Sequence, residues 1–346
     1  MICPHCEQSL LRRERPGNVC GKCGRRYALD PKTNPMKLND LRVRRVAAKV
    51  TQDGQVPCTV GQLWYALSRR SLRDTQVDLG CAGALTVAGL IVTFVGLATA
   101  AVVAVVGGLL LAGALGFVAA EVMGVGRGRP RLDRDSFRTG PMADWRHVYG
   151  ALPPGVLDDG RYPSPPAGQP ESAGADTPGG PLLVCPDRSV AVFLDAMGLP
   201  ARYGLTLVAA PDTLVSRTPA PVLVLHDADA RGLGLVHRVR AARPGRPVFD
   251  LGLPLDAVYG KANAVPVRGE PPTASAMEPL ERSGEFGADQ LRWLRQGWGF
   301  PLVAVAPAKL LDAVTRAVER VGALTDPERR RAASVGFLTW PDGGTT

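Results

Sequence analysis

The longest apolar stretch of the chain runs from Leu79 to Ala120, 42 consecutive residues without Asp, Glu, Lys or Arg. A bilayer core about 30 Å thick takes about 20 apolar residues per helix. The stretch has room for two such helices, and we therefore predict a transmembrane helical hairpin over residues 79–122. A turn near Gly96 to Ala100 would divide it, and because no charge marks this turn its position stays open.

Small residues recur at four-residue spacing in both predicted spans, a pattern that lets helix backbones approach closely. The first span has Gly80, Ala84 and Ala88, and the second has Gly108, Ala112 and Gly116. The close packing can lie within the hairpin or between protomers. A homo-oligomer formed through these faces is therefore one expectation.

Arginine flanks the hairpin on both sides, with three residues in 69–73 and five in 127–138. Because positive residues favour the cytoplasmic side of a membrane, the pattern predicts an inner (cell) membrane protein with both termini in the cytoplasm and the lipid bilayer as a partner. The first 30 residues contain no apolar run with a cleavage site, so no signal peptide is predicted. A buried helical hairpin is the alternative, and it would need a large surrounding core.

The pattern changes again after the hairpin. Residues 123–150 form a juxtamembrane segment, and residues 151–181 contain 8 Pro and 6 Gly among 31 positions, a composition typical of a flexible linker. Over residues 182–325 short apolar runs alternate with helical patterns, which predicts an α/β domain with a mostly parallel sheet. Residues 326–346 remain as a C-terminal tail. The predicted fold class is thus a multidomain membrane protein.

The N-terminal quarter of the chain carries most of the charge. Its first 78 residues hold 15 Lys or Arg against 7 Asp or Glu, which accounts for +8 of the net charge of +9. Residues 36–75 contain two basic helical patterns, one from Leu38 to Val50 and one after a capping box of Thr59 and Gln62. These helices can form a helix-turn-helix, pack on the preceding module or lie on a membrane surface.

Four of the seven cysteines form two Cys-x-x-Cys pairs separated by thirteen residues. Two tight knuckles at this spacing present four thiolates to one tetrahedral zinc ion, and Gly21 and Gly24 let the backbone curl around it. The pattern resembles the zinc ribbon family across residues 1–30, and the resemblance implies a closed, structural Zn²⁺ site. A redox dithiol pair is the alternative. The expected zinc ligands are Cys3, Cys6, Cys20 and Cys23.

Basic residues surround these cysteines: Arg12, Arg13, Arg15, Lys22, Arg25 and Arg26. Such a surface is compatible with nucleic-acid phosphate, anionic lipid or an acidic protein partner. A solvated basic face without any partner is equally open. Because four cysteines close the metal site, this module is expected to serve structure or recognition and not catalysis.

A second candidate site follows the apolar strand Val222 to Leu225, where Asp227 and Asp229 come two residues apart. Carboxylates at this spacing can share a hard cation such as Mg²⁺, which prefers oxygen ligands. The carboxyl end of a strand is also the edge where open α/β sheets bind ligands.

This segment resembles the D-x-D-x-x-G motif of the Toprim domain of topoisomerases, primases and related nucleases, with Gly232 as its last residue. The resemblance covers about residues 182–255 and implies Mg²⁺-dependent chemistry on phosphodiesters. The family also has a glutamate after an earlier strand, whereas Pro186 stands at that place here and Asp187 follows one residue later. This departure favours a degenerate domain. The candidate magnesium ligands are Asp227, Asp229 and Asp187.

Two functions follow from these sites. The first is a membrane-anchored adaptor in which the zinc ribbon contacts protein, nucleic acid or lipid beside a degenerate Toprim-like domain. The second is an enzyme, a membrane-tethered Mg²⁺-dependent nuclease or another phosphoryl-transfer enzyme that uses Asp227 and Asp229. A phosphatase of the haloacid dehalogenase type also places D-x-D after a strand, but Ala-Arg-Gly follows the motif here where that family usually has Gly-Thr.

Overall fold

The computed structural model describes residues 1–73, 86–94, 101–122, 127–163, 180–209, 215 and 218–325. The predicted tail, most of the predicted linker and the predicted hairpin turn lie outside these residues. The chain divides into two compact units. The first comprises Met1–Leu67, Leu132–Ala264 and Gly269–Thr346, and the second comprises Ser68–Arg131 and Val265–Arg268.

The first unit begins with the cysteine module and two helices. The module contains isolated antiparallel bridges and two short 3-10 turns, Arg12–Glu14 and Pro16–Asn18. Helix α1 (Asp40–Thr51) is capped by the Asn39 side chain, which accepts a hydrogen bond from the Arg42 amide at 2.8 Å. Helix α2 (Val60–Arg73) starts at the predicted capping box, in which the Thr59 amide donates to the Gln62 side chain at 2.9 Å.

The second unit contains two helices, α3 (86–94) and α4 (Ala101–Val122). They pack closely at glycine positions, because a Cβ at Gly107 would lie 2.1 Å from the Thr93 hydroxyl oxygen and Gly89 has no room for a Cβ either. The predicted contact residues Gly108 and Gly116 have open space around them. Their packing against another protomer stays a prediction.

The predicted membrane hairpin is contradicted: among the described residues, no helix is both long and apolar enough to cross a membrane. A crossing takes about 20 apolar residues of helix, whereas the described part of the predicted first span, α3, has nine residues. Residues 79–85 of the predicted first span lie outside the described residues. The membrane part of the predicted fold class and the predicted inner-membrane localisation with two cytoplasmic termini were therefore wrong.

Back in the first unit, two short helices follow one another, α5 (Arg134–Thr139) and α6 (Pro141–Tyr149). Asp133 caps α5 by accepting from the Ser136 amide at 2.9 Å. Gly140 separates the helices, and Gly150 ends α6 with a φ of +77°, a conformation that a glycine adopts without strain. Strand β1 (Cys58–Thr59) pairs in parallel with β2 (Val156–Leu157).

A four-stranded, fully parallel sheet forms the centre of the first unit, as the alternating pattern predicted. Its strands are β3 (Leu182–Val184), β4 (Thr206–Val208), β5 (Val222–Val224) and β6 (Val248–Asp250), in the order β4-β3-β5-β6. The connecting helices are α7 (Arg188–Ala196), α8 (Leu199–Tyr203) and α9 (Ala230–Ala241). Buried Val and Leu side chains of the strands pack against Leu235, Val236 and Val239 of α9.

Shorter elements complete the chain: α10 (Leu255–Val258), β7 (Val267–Arg268, part of the second unit), α11 (Ala274–Ser283), α12 (Ala288–Arg295), β8 (Trp298–Gly299), a 3-10 turn (Leu302–Ala304) and α13 (Pro307–Thr325). A second core forms where α9, α11 and α12 meet, with Leu233, Leu280 and Leu294 buried together. Phe300 and Trp293 stack beside it with ring centroids 5.3 Å apart. This core supports the chain just beyond β5.

Candidate functional site

Each Cys-x-x-Cys pair lies on a tight knuckle that backbone hydrogen bonds close. In the first knuckle the Cys3 amide donates to the Gln8 carbonyl at 2.9 Å, and in the second the Cys20 amide donates to the Arg25 carbonyl at 3.0 Å. Gly24 follows the second pair with a φ of +69°, which only glycine adopts without cost. Local sequence alone therefore shapes both halves of the site.

The four thiols converge on one point. The sulfurs of Cys3 and Cys23 are 3.9 Å apart, those of Cys6 and Cys20 are 3.8 Å apart, and all four lie within 4.8 Å of one another. A tetrahedral ion with metal–sulfur bonds of about 2.3 Å places its ligands about 3.8 Å apart. All four cysteines are free thiols and none is joined in a disulfide. The predicted ligand set is thus confirmed as a cluster that can hold a metal ion.

The electrostatics of the cluster also fit a cation. Burial acts to raise the pKa of Cys20, but hydrogen bonds from the backbone of Cys23 and Lys22 lower it to about 7. The Arg25 amide acts to lower the pKa of Cys23, yet burial and the three neighbouring sulfurs raise it to about 11. Neighbouring thiolates repel each other, and the positive charge of a bound cation removes this repulsion. The thiolate is also the form of cysteine that binds metal ions.

Asp40 joins the cysteine module to the helices of the first unit. Its side chain is fully buried and accepts hydrogen bonds from the amides of Ala28 at 2.9 Å and Leu29 at 2.8 Å. The same carboxylate accepts from the Tyr149 hydroxyl of α6. The end of the module is therefore fixed to both α1 and α6 by one buried carboxylate.

Five of the six predicted basic residues around the cysteines are exposed: Arg12, Arg13, Lys22, Arg25 and Arg26. Within the described part of the chain, none of these five side chains makes a hydrogen bond or an ion pair. Arg15 differs, because it is buried and forms an ion pair with Asp30. The basic surface of the module thus consists of five side chains, and Arg15 serves the interior.

The parallel sheet brings the three predicted aspartates to one pocket of about 460 Å³. Because β3 and β5 are parallel neighbours, Asp187 after β3 and Asp227 after β5 share one edge of the sheet, with Asp229 beside them. Among the described residues, however, the four cysteines are the group that meets metal-binding distances, and the aspartates do not. The described geometry therefore gives no support to the predicted Mg²⁺ site.

The Asp187 carboxylate accepts hydrogen bonds from two backbone amides and from an arginine side chain. It caps α7 by accepting from the amides of Ser189 at 2.8 Å and Val190 at 3.2 Å. Its two oxygens also receive hydrogen bonds from Nη1 of Arg134, at 3.1 and 2.9 Å. A guanidinium group is thus bound to a carboxylate that the sequence offered as a metal ligand.

The other two carboxylates also bind the protein itself. Asp229 caps α9 by accepting from the Gly232 amide at 2.7 Å. Asp227 accepts from the Leu302 amide, also at 2.7 Å, and so connects β5 to the 3-10 turn near α13. Gly232 is required for this arrangement, because a Cβ there would lie 2.2 Å from the Asp227 carbonyl oxygen. The D-x-D-x-x-G residues therefore form a tight turn that leads from β5 into α9.

The surroundings of Asp227 favour its neutral form. Burial raises the pKa of this carboxyl to about 7, and the nearby charges of Asp187 and Asp229 add to the effect. Burial also raises the pKa of Asp229. The three aspartates thus crowd negative charge at this edge of the sheet, which makes ionisation of Asp227 more costly.

His226 forms a buried polar link beside these aspartates. Its Nε2 lies 3.0 Å from Oδ1 of Asp250 at the end of β6, and its Nδ1 lies 2.7 Å from the Asp227 carbonyl oxygen. Burial acts to lower the pKa of His226, but these hydrogen bonds and the Asp250 charge raise it. His226 thus ties the ends of β5 and β6 together.

Sequence reasoning missed two residues of this region. Arg134 lies 53 residues before Asp187 in the predicted juxtamembrane segment, and no spacing pattern connects the two. Asp159 was assigned to the predicted linker, yet it is fully buried and accepts from the Gly61 amide at 3.1 Å and from Arg138 at 3.2 Å. The second Asp of an Asp158–Asp159 pair within a Pro- and Gly-rich stretch gives no signal of burial.

Comparison of the chain with protein-family models, with curated proteins and with solved structures gives no match.

Proposed function

We propose that this protein is a zinc-dependent adaptor that binds nucleic acid through its N-terminal ribbon, with an α/β domain that is Toprim-like but not catalytic. The observation that carries this proposal is the set of five exposed cations, without intramolecular partners in the described chain, on a rigid four-cysteine scaffold.

Zinc is the metal that best matches the cluster. Four thiolates suit zinc and other soft or borderline ions. The sulfur–sulfur separations of 3.8 and 3.9 Å are those expected around a tetrahedral zinc ion with zinc–sulfur bonds of about 2.3 Å. A four-sulfur shell leaves no open position for water or substrate. The ion would therefore stabilise the ribbon and fix its surface side chains, without any chemistry of its own.

Nucleic acid is the partner that these cations favour. Four of the five are arginines, and they form the adjacent pairs Arg12–Arg13 and Arg25–Arg26 on different parts of the ribbon. Arginine binds phosphate with two parallel hydrogen bonds, and repeated phosphates along a strand can satisfy both pairs at once. An acidic protein would offer carboxylates at irregular spacing and is the competing outcome of the test below.

The α/β domain is assigned a non-catalytic role because its acidic residues are already in use. Asp187 binds Arg134, while Asp227 and Asp229 each accept a backbone amide. A nuclease of this kind needs carboxylates that are free to hold Mg²⁺ and to release its product. The Mg²⁺-dependent nuclease is therefore the disfavoured alternative.

Metal analysis of the purified full chain tests the ribbon. We expect one zinc per chain, and we expect the Cys20→Ser variant to lose it. Cys58→Ser is the matched control, since Cys58 is also a buried free thiol but lies outside the cluster. Equal zinc content in the two variants would place the metal elsewhere.

Fluorescence anisotropy with a labelled 20-mer of DNA or RNA at several salt concentrations tests the partner. We expect binding that weakens steeply with salt, and we expect the Arg25→Ala, Arg26→Ala double variant to reduce the slope of log K against log[salt] by roughly one to two. The double variant Arg282→Ala, Arg292→Ala, exposed on α11 and α12, is the charge-matched control. If the two variants are equally affected, or if only acidic proteins bind, the nucleic-acid proposal is wrong.

A plasmid-nicking assay with the full chain tests the α/β domain. We expect no Mg²⁺-dependent nicking above the level of the Asp227→Ala, Asp229→Ala variant. Nicking by the natural chain that the double variant loses would establish the enzyme and overturn the adaptor.

A further inference from the structure

The pocket beside the three aspartates is lined by four arginines as well as by acids. Arg134 comes from α5, Arg188 begins α7, and Arg231 and Arg238 lie on α9. Arg231 and Arg238 are exposed, and neither makes a hydrogen bond or an ion pair within the described chain. Two guanidinium groups therefore face a pocket in which each acid accepts at least one hydrogen bond from the protein.

Arg134 is held in place but keeps donors for a ligand. Both of its described hydrogen bonds leave from Nη1 and go to Asp187, so Nε and Nη2 have no partner among the described residues. Its guanidinium carbon lies 5.8 Å from the centre of the Trp64 ring, which fixes the orientation of the group. The arginine is therefore a preorganised donor at the pocket wall.

The charge of the pocket favours an anion. Four guanidinium groups face three carboxylates, and the carboxyl of Asp227, with a pKa of about 7, is partly neutral at physiological pH. Asp187 and Asp229 accept hydrogen bonds from amides in the first turns of α7 and α9, so those amides are not available to a ligand. Because Arg134 is paired with Asp187, the surplus of between one and two positive charges falls on Arg231 and Arg238.

We propose that this pocket binds the phosphate monoester of a small molecule, without a metal ion, through the guanidinium groups of Arg134, Arg231 and Arg238. A phosphate monoester is doubly charged and offers three oxygens, which three arginines can satisfy. The volume of about 460 Å³ lies within the range of small-molecule sites and has room for a mononucleotide.

This inference rests on the proposed non-catalytic role of the α/β domain, because it assigns the pocket to an anionic ligand and not to a catalytic metal ion. The chain would then have two separate anion sites. The ribbon cations would bind the strand of a nucleic acid, whereas the pocket arginines would bind one terminal phosphate.

Isothermal titration of the full chain with inorganic phosphate and with AMP, in buffer that contains EDTA, tests the pocket. We expect both compounds to bind and Mg²⁺ to leave their affinity unchanged. Arg231→Ala and Arg238→Ala should each weaken binding about ten-fold or more, since each removes a charge-assisted contact. Both residues are exposed on α9, so neither substitution disturbs the core.

Two controls keep the test specific. Arg240→Ala removes an exposed arginine from the same helix outside the pocket and should bind phosphate like the natural chain. Arg25→Ala, Arg26→Ala should also bind phosphate normally, even where it fails to bind nucleic acid. Loss of pocket binding and loss of ribbon binding are therefore distinguishable.

Three results would overturn the inference. They are no binding of phosphate or AMP, equal binding by the pocket variants and the natural chain, or binding that appears only with Mg²⁺. If an octathymidine without a terminal phosphate competes as well as AMP, the pocket binds a phosphodiester strand and the monoester assignment is wrong.

Discussion

Arg134 binds Asp187 across 53 residues of chain, with one guanidinium nitrogen within 3.1 Å of both carboxylate oxygens. The side chain of Asp187 is 9% exposed and that of Arg134 is 27% exposed, so the pair is largely removed from water. Asp187 at the same time caps α7. One carboxylate therefore connects α5, the end of β3 and the start of α7.

Substitutions at Asp187 should separate its two roles. Asp187→Ala removes both the ion pair and the cap and should lower the free energy of unfolding by about 2–4 kcal/mol. Asp187→Asn keeps an oxygen for the amides of Ser189 and Val190 and should cost about 1–2 kcal/mol less than the Ala variant. Urea denaturation measures both. Equal losses in the two variants would show that the cap contributes nothing.

The parts of the structure that the sequence predicted correctly depend on local spacing. Cys3, Cys6, Cys20 and Cys23 form a cluster because each pair sits on its own short knuckle. The parallel sheet follows from apolar strands that alternate with helices. In both cases the information lies within a few residues of the feature, where backbone geometry alone decides the outcome.

The parts that the sequence did not predict correctly depend on distant contacts or on atoms with two possible uses. A D-x-D motif can bind a cation or cap a helix with the same oxygens, and here Asp229 caps α9. Asp187 in turn caps α7 and binds Arg134, a contact that depends on where α5 packs and that no spacing in the sequence reveals. In the apolar region, close helix contact occurs at Gly107 and not at the neighbouring Gly108. Consecutive residues point about 100° apart around a helix axis, and a repeat of small residues does not specify which of them faces the partner helix.

Two glycines of α9 should respond differently to alanine. A Cβ at Gly232 would lie 2.2 Å from the Asp227 carbonyl oxygen, whereas a Cβ at Gly234 would meet its nearest atom at 3.4 Å. Gly232→Ala must displace the turn after β5 and should destabilise the protein by about 2 kcal/mol or more. Gly234→Ala should be neutral or stabilising by up to about 1 kcal/mol, because alanine favours helix. Thermal unfolding of the pair provides the comparison, and a greater loss in Gly234→Ala would contradict the described close approach.

The buried carboxylate of Asp40 should be essential for holding the ribbon. Asp40→Asn replaces one acceptor oxygen with a donor, so a buried amide of Ala28 or Leu29 loses its partner, at a cost of about 2–3 kcal/mol. Tyr149→Phe removes one hydrogen bond to the same group and should cost about 1 kcal/mol. Chelator-induced zinc release should be faster in Asp40→Asn than in Tyr149→Phe. The reverse order would mean that the ribbon is held by other contacts.

Asp227 should make the protein less stable as the pH rises through neutrality. Burial raises the pKa of this carboxyl from its ordinary value of 3.8 to about 7 in the folded chain. Between these two values the folded state holds a proton that the unfolded state has lost, so this group lowers stability as the pH rises from about 4 to about 7, and the loss is complete above that window.

Asp227→Asn should remove this dependence, because an asparagine oxygen can still accept from the Leu302 amide but carries no proton that titrates. The stability of the variant minus that of the natural chain should be near zero at pH 4 and should grow to roughly 4 kcal/mol at pH 8.5. Urea denaturation at several pH values measures it, with the exposed Asp289→Asn as control. A difference that stays constant with pH would show that the pKa of Asp227 is not raised in the folded protein, and the proposed metal-free pocket would then lack its neutral acid.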